Sequence, residues 1–378
     1  MVCLRVDGVH PYAIAFSPYT GDRLAVASAQ HFGIAGKGSV SVFDRSQDWA
    51  TIAQAEWKDG LFSAAWAETN ENQLLTCSGD GTCQLWDIAD MSKPLHVFAE
   101  HTKEATRVSH CQAREGALFA SSSWDQSVKV WDATGASGHS LATLSHQGFV
   151  YDVRWSPHRQ HTIASACEDG TVSVWDTRAP RPAQVVQAHA HEALCLDWNK
   201  YDANMLVSGS VDRTVRCFDL RMAPSAVPLY VLEAHQLAVR TVACSPFDVD
   251  VIATGSYDMC AFLWNVRALR TAMGQHGDTS TRQQPPSSSS SSSSSAAATI
   301  TTPSSQVQAK PTTAEAATVL PSSVPLQQRV LGRQADALLP RPRLLSKHTE
   351  FVTGVDFNVF APEVAHCSWD STICVHPV

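Results

Sequence analysis

Short alternations of apolar and polar positions, with the two-residue period of a half-buried strand, dominate the chain. Ser127-Val-Lys-Val-Trp-Asp132 is one such run, and a polar turn, Ser123-Trp-Asp-Gln126, precedes it. The same turn and strand return as Cys77–Asp87, Ala166–Asp176, Gly209–Asp219 and Gly255–Asn265, with looser copies at Val40–Asp44 and Cys367–Pro377. The aromatic residue near the end of each copy, or its replacement, falls at Phe43, Trp86, Trp131, Trp175, Phe218, Trp264 and His376. Successive gaps are 43, 45, 44, 43, 46 and 112 residues. Five of them match the period of a four-stranded propeller blade ending in Trp-Asp.

Other positions keep the same period. An Asp stands six residues before the aromatic position in six copies, at Asp80, Asp125, Asp169, Asp212, Asp258 and Asp370. A His lies about thirty residues before it in five, at His101, His146, His189, His235 and His348. Hydroxyl residues such as Ser121 and Ser123 alternate along the strand before the Asp. A buried imidazole or carboxylate without a partner costs about 1–3 kcal/mol or more, so such groups must form connected sets. The recurring histidines are therefore read as structural, not as catalytic bases or metal ligands.

Seven copies predict an all-β, seven-bladed propeller. The last copy ends at the C-terminus with no further outer strand, and Val2-Cys-Leu-Arg-Val6 alternates suitably to supply it. That strand is expected to close the ring and cover an otherwise open edge. The 112-residue gap exceeds one period by roughly 68 residues. From Arg267 to about Pro340 the chain is rich in Ser, Thr, Pro, Ala and Gln, with an unbroken Ser287–Ser295 run and no aromatic. Such a composition cannot bury enough apolar surface to offset its ordering entropy. The expected division is 1–266 for blades one to six plus the closing strand, 267–340 for a disordered insertion between blades six and seven, and 341–378 for the outer strand of blade six and blade seven.

Composition adds limits. Hydrophobic residues at 44% and eleven tryptophans suffice for a core, and a net charge of −8 argues against nucleic acid as a partner. Eleven cysteines show no C-x-x-C pair, which suggests free thiols in a reduced compartment. No signal peptide or hydrophobic span is visible, so no stable membrane insertion is expected. Gly36-Lys37 fails as a phosphate loop because position 31 is His and position 38 is Gly, and a glycine-rich hairpin is expected there. No cofactor, metal site or catalytic set emerges outside the repeated network, so the chain is read as a binding platform and not an enzyme.

Two position classes should reach one face of the ring. The residue before each turn Asp reads Gly79, Trp124, Glu168, Val211, Tyr257 and Trp369. Residues three to five after each blade His include Glu104, Phe149, Tyr151, Glu192, Arg240 and Phe351, with Asp59 and Phe62 in the blade that lacks the His. The bland reading of any one of them is a solvated loop position. Together they describe an aromatic and acidic surface suited to a helix with an apolar stripe and a basic residue.

Several stretches resemble the peroxin-7 family, receptors for the type 2 peroxisomal targeting signal. They include Phe16-Ser-Pro-Tyr19, Ala29-Gln-His-Phe-Gly-Ile-Ala-Gly36, Trp57-Lys-Asp-Gly-Leu-Phe62, Ser123-Trp-Asp-Gln126, Asp197-Trp-Asn-Lys-Tyr201, His348-Thr-Glu-Phe351 and Cys367-Ser-Trp-Asp370. The long insertion and the terminal His376-Pro377 depart from the family pattern. The resemblance implies a cytoplasmic import receptor that cycles to the membrane or matrix of the peroxisome, or of the related glycosome. It would bind cargo proteins whose N-terminal signal opens with Arg or Lys and ends some nine residues later in His or Gln plus a small apolar residue. A co-receptor (peroxin-5 or an equivalent) and docking peroxins would be its partners. Asp59, Glu104, Glu168 and Glu192 are then candidates for meeting the basic residue. Phe62, Trp124, Phe149, Tyr151, Tyr257, Phe351 and Trp369 are candidates for the apolar side. The alternative is a repeat scaffold or the substrate-recognition subunit of another complex, which would have no reason to carry Ala29–Gly36 or Asp197–Tyr201.

Overall fold

In the computed structural model, residues 1–112, 117–135, 138–222, 227–271 and 340–378 are described. The expected disordered insertion lies outside them, apart from residues 267–271, which are helical rather than disordered, and Pro340. The described chain forms seven four-stranded antiparallel sheets. Blade one is built from His10–Phe16, Arg23–Ala29, Gly38–Asp44 and Ala50–Trp57, and blade two from Leu61–Trp66, Gln73–Ser78, Thr82–Asp87 and His96–Ala99. Blade three uses Ala105–His110, Leu118–Ser123, Ser127–Asp132 and Ala142–Ser145. Blade four uses Val150–Trp155, Thr162–Cys167, Thr171–Asp176 and Pro182–Gln187. Ala193–Trp198, Met205–Ser210, Thr214–Asp219 and Tyr230–Glu233 make blade five. Blade six joins Val239–Cys244, Val251–Ser256 and Cys260–Asn265 to an outer strand, Arg343–Lys347, on the far side of the long insertion.

Blade seven takes Val352–Phe357, Glu363–Ser368 and Thr372–Pro377 from the C-terminus and its outer strand, Val2–Arg5, from the N-terminus. The closing pair runs antiparallel with Val2 opposite Val375 and Arg5 opposite Thr372. Innermost strands touch in sequence around the ring, and the strand of blade seven touches that of blade one. One apolar cluster spans this closure, with Ile14, Phe16 and Phe43 packed near Ala365, Ile373 and Val375. Covering the free edges by pairing is what makes a ring of short sheets stable in water.

One expectation needs correcting. Nine cysteines lie outside any disulfide, but Cys3 and Cys374 sit opposite each other in the closing pair and are bonded as one. No spacing motif signalled it, because 371 residues separate the partners and only the ring closure brings them together.

Every innermost strand also carries a one-residue bulge near its start. The extra residues are Tyr12, Phe62, Thr106, Tyr151, Leu194, Arg240 and Thr353. A bulge re-aims one side chain without breaking the sheet. Here it does so once per blade, beside the turns that carry the repeat Asp.

Candidate ligand-binding face

Each turn is tight because the residue after the Asp is left-handed: Gly81 and Gly170 where glycine is present, and Gln126, Arg213, Met259 and Ser371 elsewhere. The Asp carboxylate accepts from the backbone two residues on, as Asp125 does from Ser127 at 3.0 Å. Beneath the turn lies the repeated network. His101 bridges Asp125 (Nδ1 to Oδ2, 2.8 Å) and Ser121 (Nε2 to Oγ, 2.8 Å), and Trp131 Nε1 donates to the same Ser121 Oγ at 2.8 Å. His189 repeats this with Asp212 and Ser208, and His235 with Asp258 and Thr254. Burial alone would raise the Asp125 carboxyl, but hydrogen bonds from His101 and Ser127 outweigh it and hold it well below the usual carboxylate range. These groups are consumed by the fold.

Of the six blades that keep the turn Asp, three depart from the rule. Blade two lacks the His, and Trp57 Nε1 (3.1 Å) with Lys58 Nζ (3.0 Å) takes up Asp80 instead. The place of the missing His therefore belongs to Trp57, two residues before Asp59. His146 bonds Ser165 but turns its other nitrogen to the Leu144 carbonyl, leaving Asp169 exposed. In blade seven His348 reaches Asp370 as usual but meets His366 where other blades place a hydroxyl.

The two position classes are joined by one recurring bond. The backbone N–H of the residue before the turn Asp donates to the loop that follows the blade His or its substitute. The pairs are Gly79 to Gly60, Trp124 to Glu104, Glu168 to Phe149, Val211 to Glu192, Tyr257 to Ala238 and Trp369 to Phe351, all between 2.9 and 3.1 Å. Candidate side chains from neighbouring segments are thereby placed next to one another.

Aromatic rings form a wall from blade six to blade two. Tyr257 packs on Phe351 (centroids 4.7 Å apart), Phe351 on Trp369 (5.2 Å), Trp369 on Tyr12 (5.2 Å) and Tyr12 on Phe62 (4.9 Å). Phe32 lies 5.5 Å from Trp369 and stacks on His10 at 3.8 Å. A separate pair, Trp124 and Phe149, bridges blades three and four. Sequence reasoning missed His10, Tyr12 and Phe32, since blade one has lost the turn Asp that marks the face elsewhere. The available signal was the glycine-rich hairpin: left-handed His31 and Phe32 form a single 3-10 turn that sets Phe32 against His10 and Trp369.

Glu104, Glu168 and Glu192 lie in blades three to five beyond the wall, and Asp59 adjoins its Phe62 end. Glu168 accepts from the Phe149 backbone N–H at 3.0 Å, and Asp59 from that of Gly60 at 2.7 Å. Among the described residues the carboxylates of Glu104 and Glu192 make no hydrogen bond or ion pair. Tyr151 is pushed up to about 12, first by burial and then by the nearby charges of Glu168 and Glu192. Lys103 lies over the Phe149 ring at 5.0 Å, so the surface is not uniformly acidic. The arrangement suits a ligand that brings one cation and one apolar stripe.

The WD domain, G-beta repeat family matches residues 56–87, 92–132, 138–176, 180–219, 226–265 and 341–376. The chain is 37% identical to the mouse peroxisomal targeting signal 2 receptor over 99% of its own length and 95% of that protein. It is 37% identical to the human receptor of the same name over 69% of this chain and 80% of that one. The chain belongs to the peroxisomal targeting signal 2 receptor family. The Saccharomyces cerevisiae receptor is 29% identical over 70% of this chain and 83% of its own. Membership accounts for the whole ring. Among the described residues of this family member, no helix is long and apolar enough to cross a membrane.

Proposed function

We propose that this protein is an import receptor that binds the N-terminal type 2 targeting signal of cargo proteins and delivers them to the peroxisome, or to the related glycosome. The observation that carries this reading is the division of one face into an aromatic wall and two unpaired carboxylates, Glu104 and Glu192, on a propeller of the receptor family. The signal's basic residue would meet the carboxylates, and its apolar positions would lie on the rings. A charge pair 4 Å apart at an effective dielectric of 20 gives about 4 kcal/mol before desolvation. Desolvation offsets much of that, so ring burial carries most of the affinity. A co-receptor of the peroxin-5 type would cover the exposed side of the signal, docking peroxins would receive the complex, and the receptor would cycle between cytoplasm and organelle.

The test is capture of the protein on an immobilised Arg-Leu-x5-His-Leu peptide, with an Arg→Asp peptide as control. Recovery on the first alone supports the reading, and equal recovery on both contradicts it. Glu104→Lys should lose capture while the melting temperature stays near that of the wild type.

A further inference from the structure

Among the seven bulge residues at the mouth of the ring, Arg240 alone is charged. Thr106 and Thr353 are buried and donate to the carbonyls of Val150 and Pro11 in the next blade, both at 2.8 Å. The aromatic members belong to the ligand face already described. Arg240 makes no hydrogen bond or ion pair among the described residues. Other arginines withdrawn from water do: Arg107 pairs with Asp152 at 3.2 Å and Arg216 with Asp212 at 3.3 Å. The acid that bears on Arg240, Asp152, is already flanked by Arg107 and by Arg154 at 3.7 Å. Arg240 also lies within electrostatic reach of Arg107, Cys77, Cys195 and the ligand-face rings Tyr257 and Tyr12. A half-buried guanidinium has five N–H donors arranged to grip a carboxylate, and a ligand that does so can displace water from them.

The position completes a polarity across the face. Glu104 leads into blade three, three blades away from Arg240 beside the aromatic wall in blade six, whereas Glu192 leads into blade five next to it. A helical segment with its cation near the N-terminus would rest that end on Glu104. Its C-terminal half, where carbonyls and the helix dipole are negative, would then lie toward Arg240. Resting on the receptor reading above, we propose that Arg240 is a second charge anchor: it receives a carboxylate carried by the C-terminal half of the bound signal segment and fixes the direction in which that segment lies.

The experiment is a titration of the full-length protein with fluorescent Arg-Leu-x5-His-Leu peptides. A Glu is walked through the x positions and the three residues after the motif, each against an isosteric Gln control. At one or more positions Glu is expected to bind about tenfold more tightly than Gln. Arg240→Gln abolishes that preference and keeps the binding of the Gln peptides, and Arg240→Glu transfers the preference to a Lys-bearing peptide. Should Arg240→Gln fail to fold, Arg240→Lys takes its place and retains a reduced preference for Glu, because it keeps the charge and loses the fork. Equal binding of Glu and Gln peptides to the wild type at every position overturns the proposal, as does a preference undiminished in Arg240→Gln or Arg240→Lys. Absence of binding by any peptide overturns the receptor reading itself, an outcome distinct from binding without discrimination.

Discussion

Trp124 and Phe149 come from successive blades and stack with ring centroids 5.8 Å apart and planes 22° from parallel. Trp124 is 36% exposed although it sits in a turn fixed on both sides by buried serines and the network Asp. An aromatic pair held half in water by a rigid turn is suited to burying a partner's apolar stripe. Trp124→Ala should weaken signal-peptide binding by about 2 kcal/mol or more. Its effect on stability should stay within about 0.5 kcal/mol. Isothermal titration and a thermal melt on the same preparation check both; a lowered melting temperature with intact binding would assign Trp124 to the fold.

One residue further along, the expectation reverses. Asp125→Ala strands the His101 imidazole and the Thr102 backbone N–H that now donates to it at 3.2 Å. The loss should be about 2–3 kcal/mol. Urea denaturation measures it, and an unchanged midpoint would show that the network is dispensable in blade three.

His146 supplies a pH signature. Burial drives its pKa down to about 4, with the Leu144 carbonyl and Asp169 opposing only in part. An unfolded histidine titrates near 6.5. The folded value is the lower one, so the contribution is fully present above about 6.5 and is lost as pH falls through about 4. His146→Gln should flatten the fall of unfolding free energy across that window, relative to the wild type. Parallel curves for the two proteins would contradict this.

The ring closure should respond to reductant. Cys3 and Cys374 link the first and last strands across 371 residues, and a disulfide of this kind contributes about 2–4 kcal/mol. Dithiothreitol should lower the melting temperature of the wild type by several degrees, and Cys3→Ser should melt at the reduced value with or without it. Identical melts in all four conditions would remove the disulfide from the account of stability.

Blade architecture was legible because the network residues recur at a fixed period: Asp125, His101 and Trp131 locate one another before any coordinates are known. Closure by Val2–Arg5 followed from a missing outer strand. What remained hidden depends on contacts between distant segments. The Cys3–Cys374 bond needs the closed ring, and the Tyr12–Trp369 contact joins blades one and seven. Blade one hid Phe32 because its turn had lost the marker Asp. His146 shows the limit of the repeat as a guide, since its sequence position matches that of His101 while its second partner is a carbonyl. Asp59, Phe62 and the other candidates entered only as position classes; which carboxylates stay unpaired, Glu104 and Glu192, required side-chain geometry.

Photo-crosslinking maps the bound ligand most directly. A signal peptide carrying benzoylphenylalanine at an apolar position, irradiated with the full-length protein and digested for mass spectrometry, should attach to the face defined by Trp124, Phe149, Tyr257, Phe351 and Trp369. An Arg→Asp peptide should give no adduct there. Adducts on the opposite rim, where Tyr201, Phe247 and Phe360 are exposed at 52%, 43% and 57%, would contradict the account.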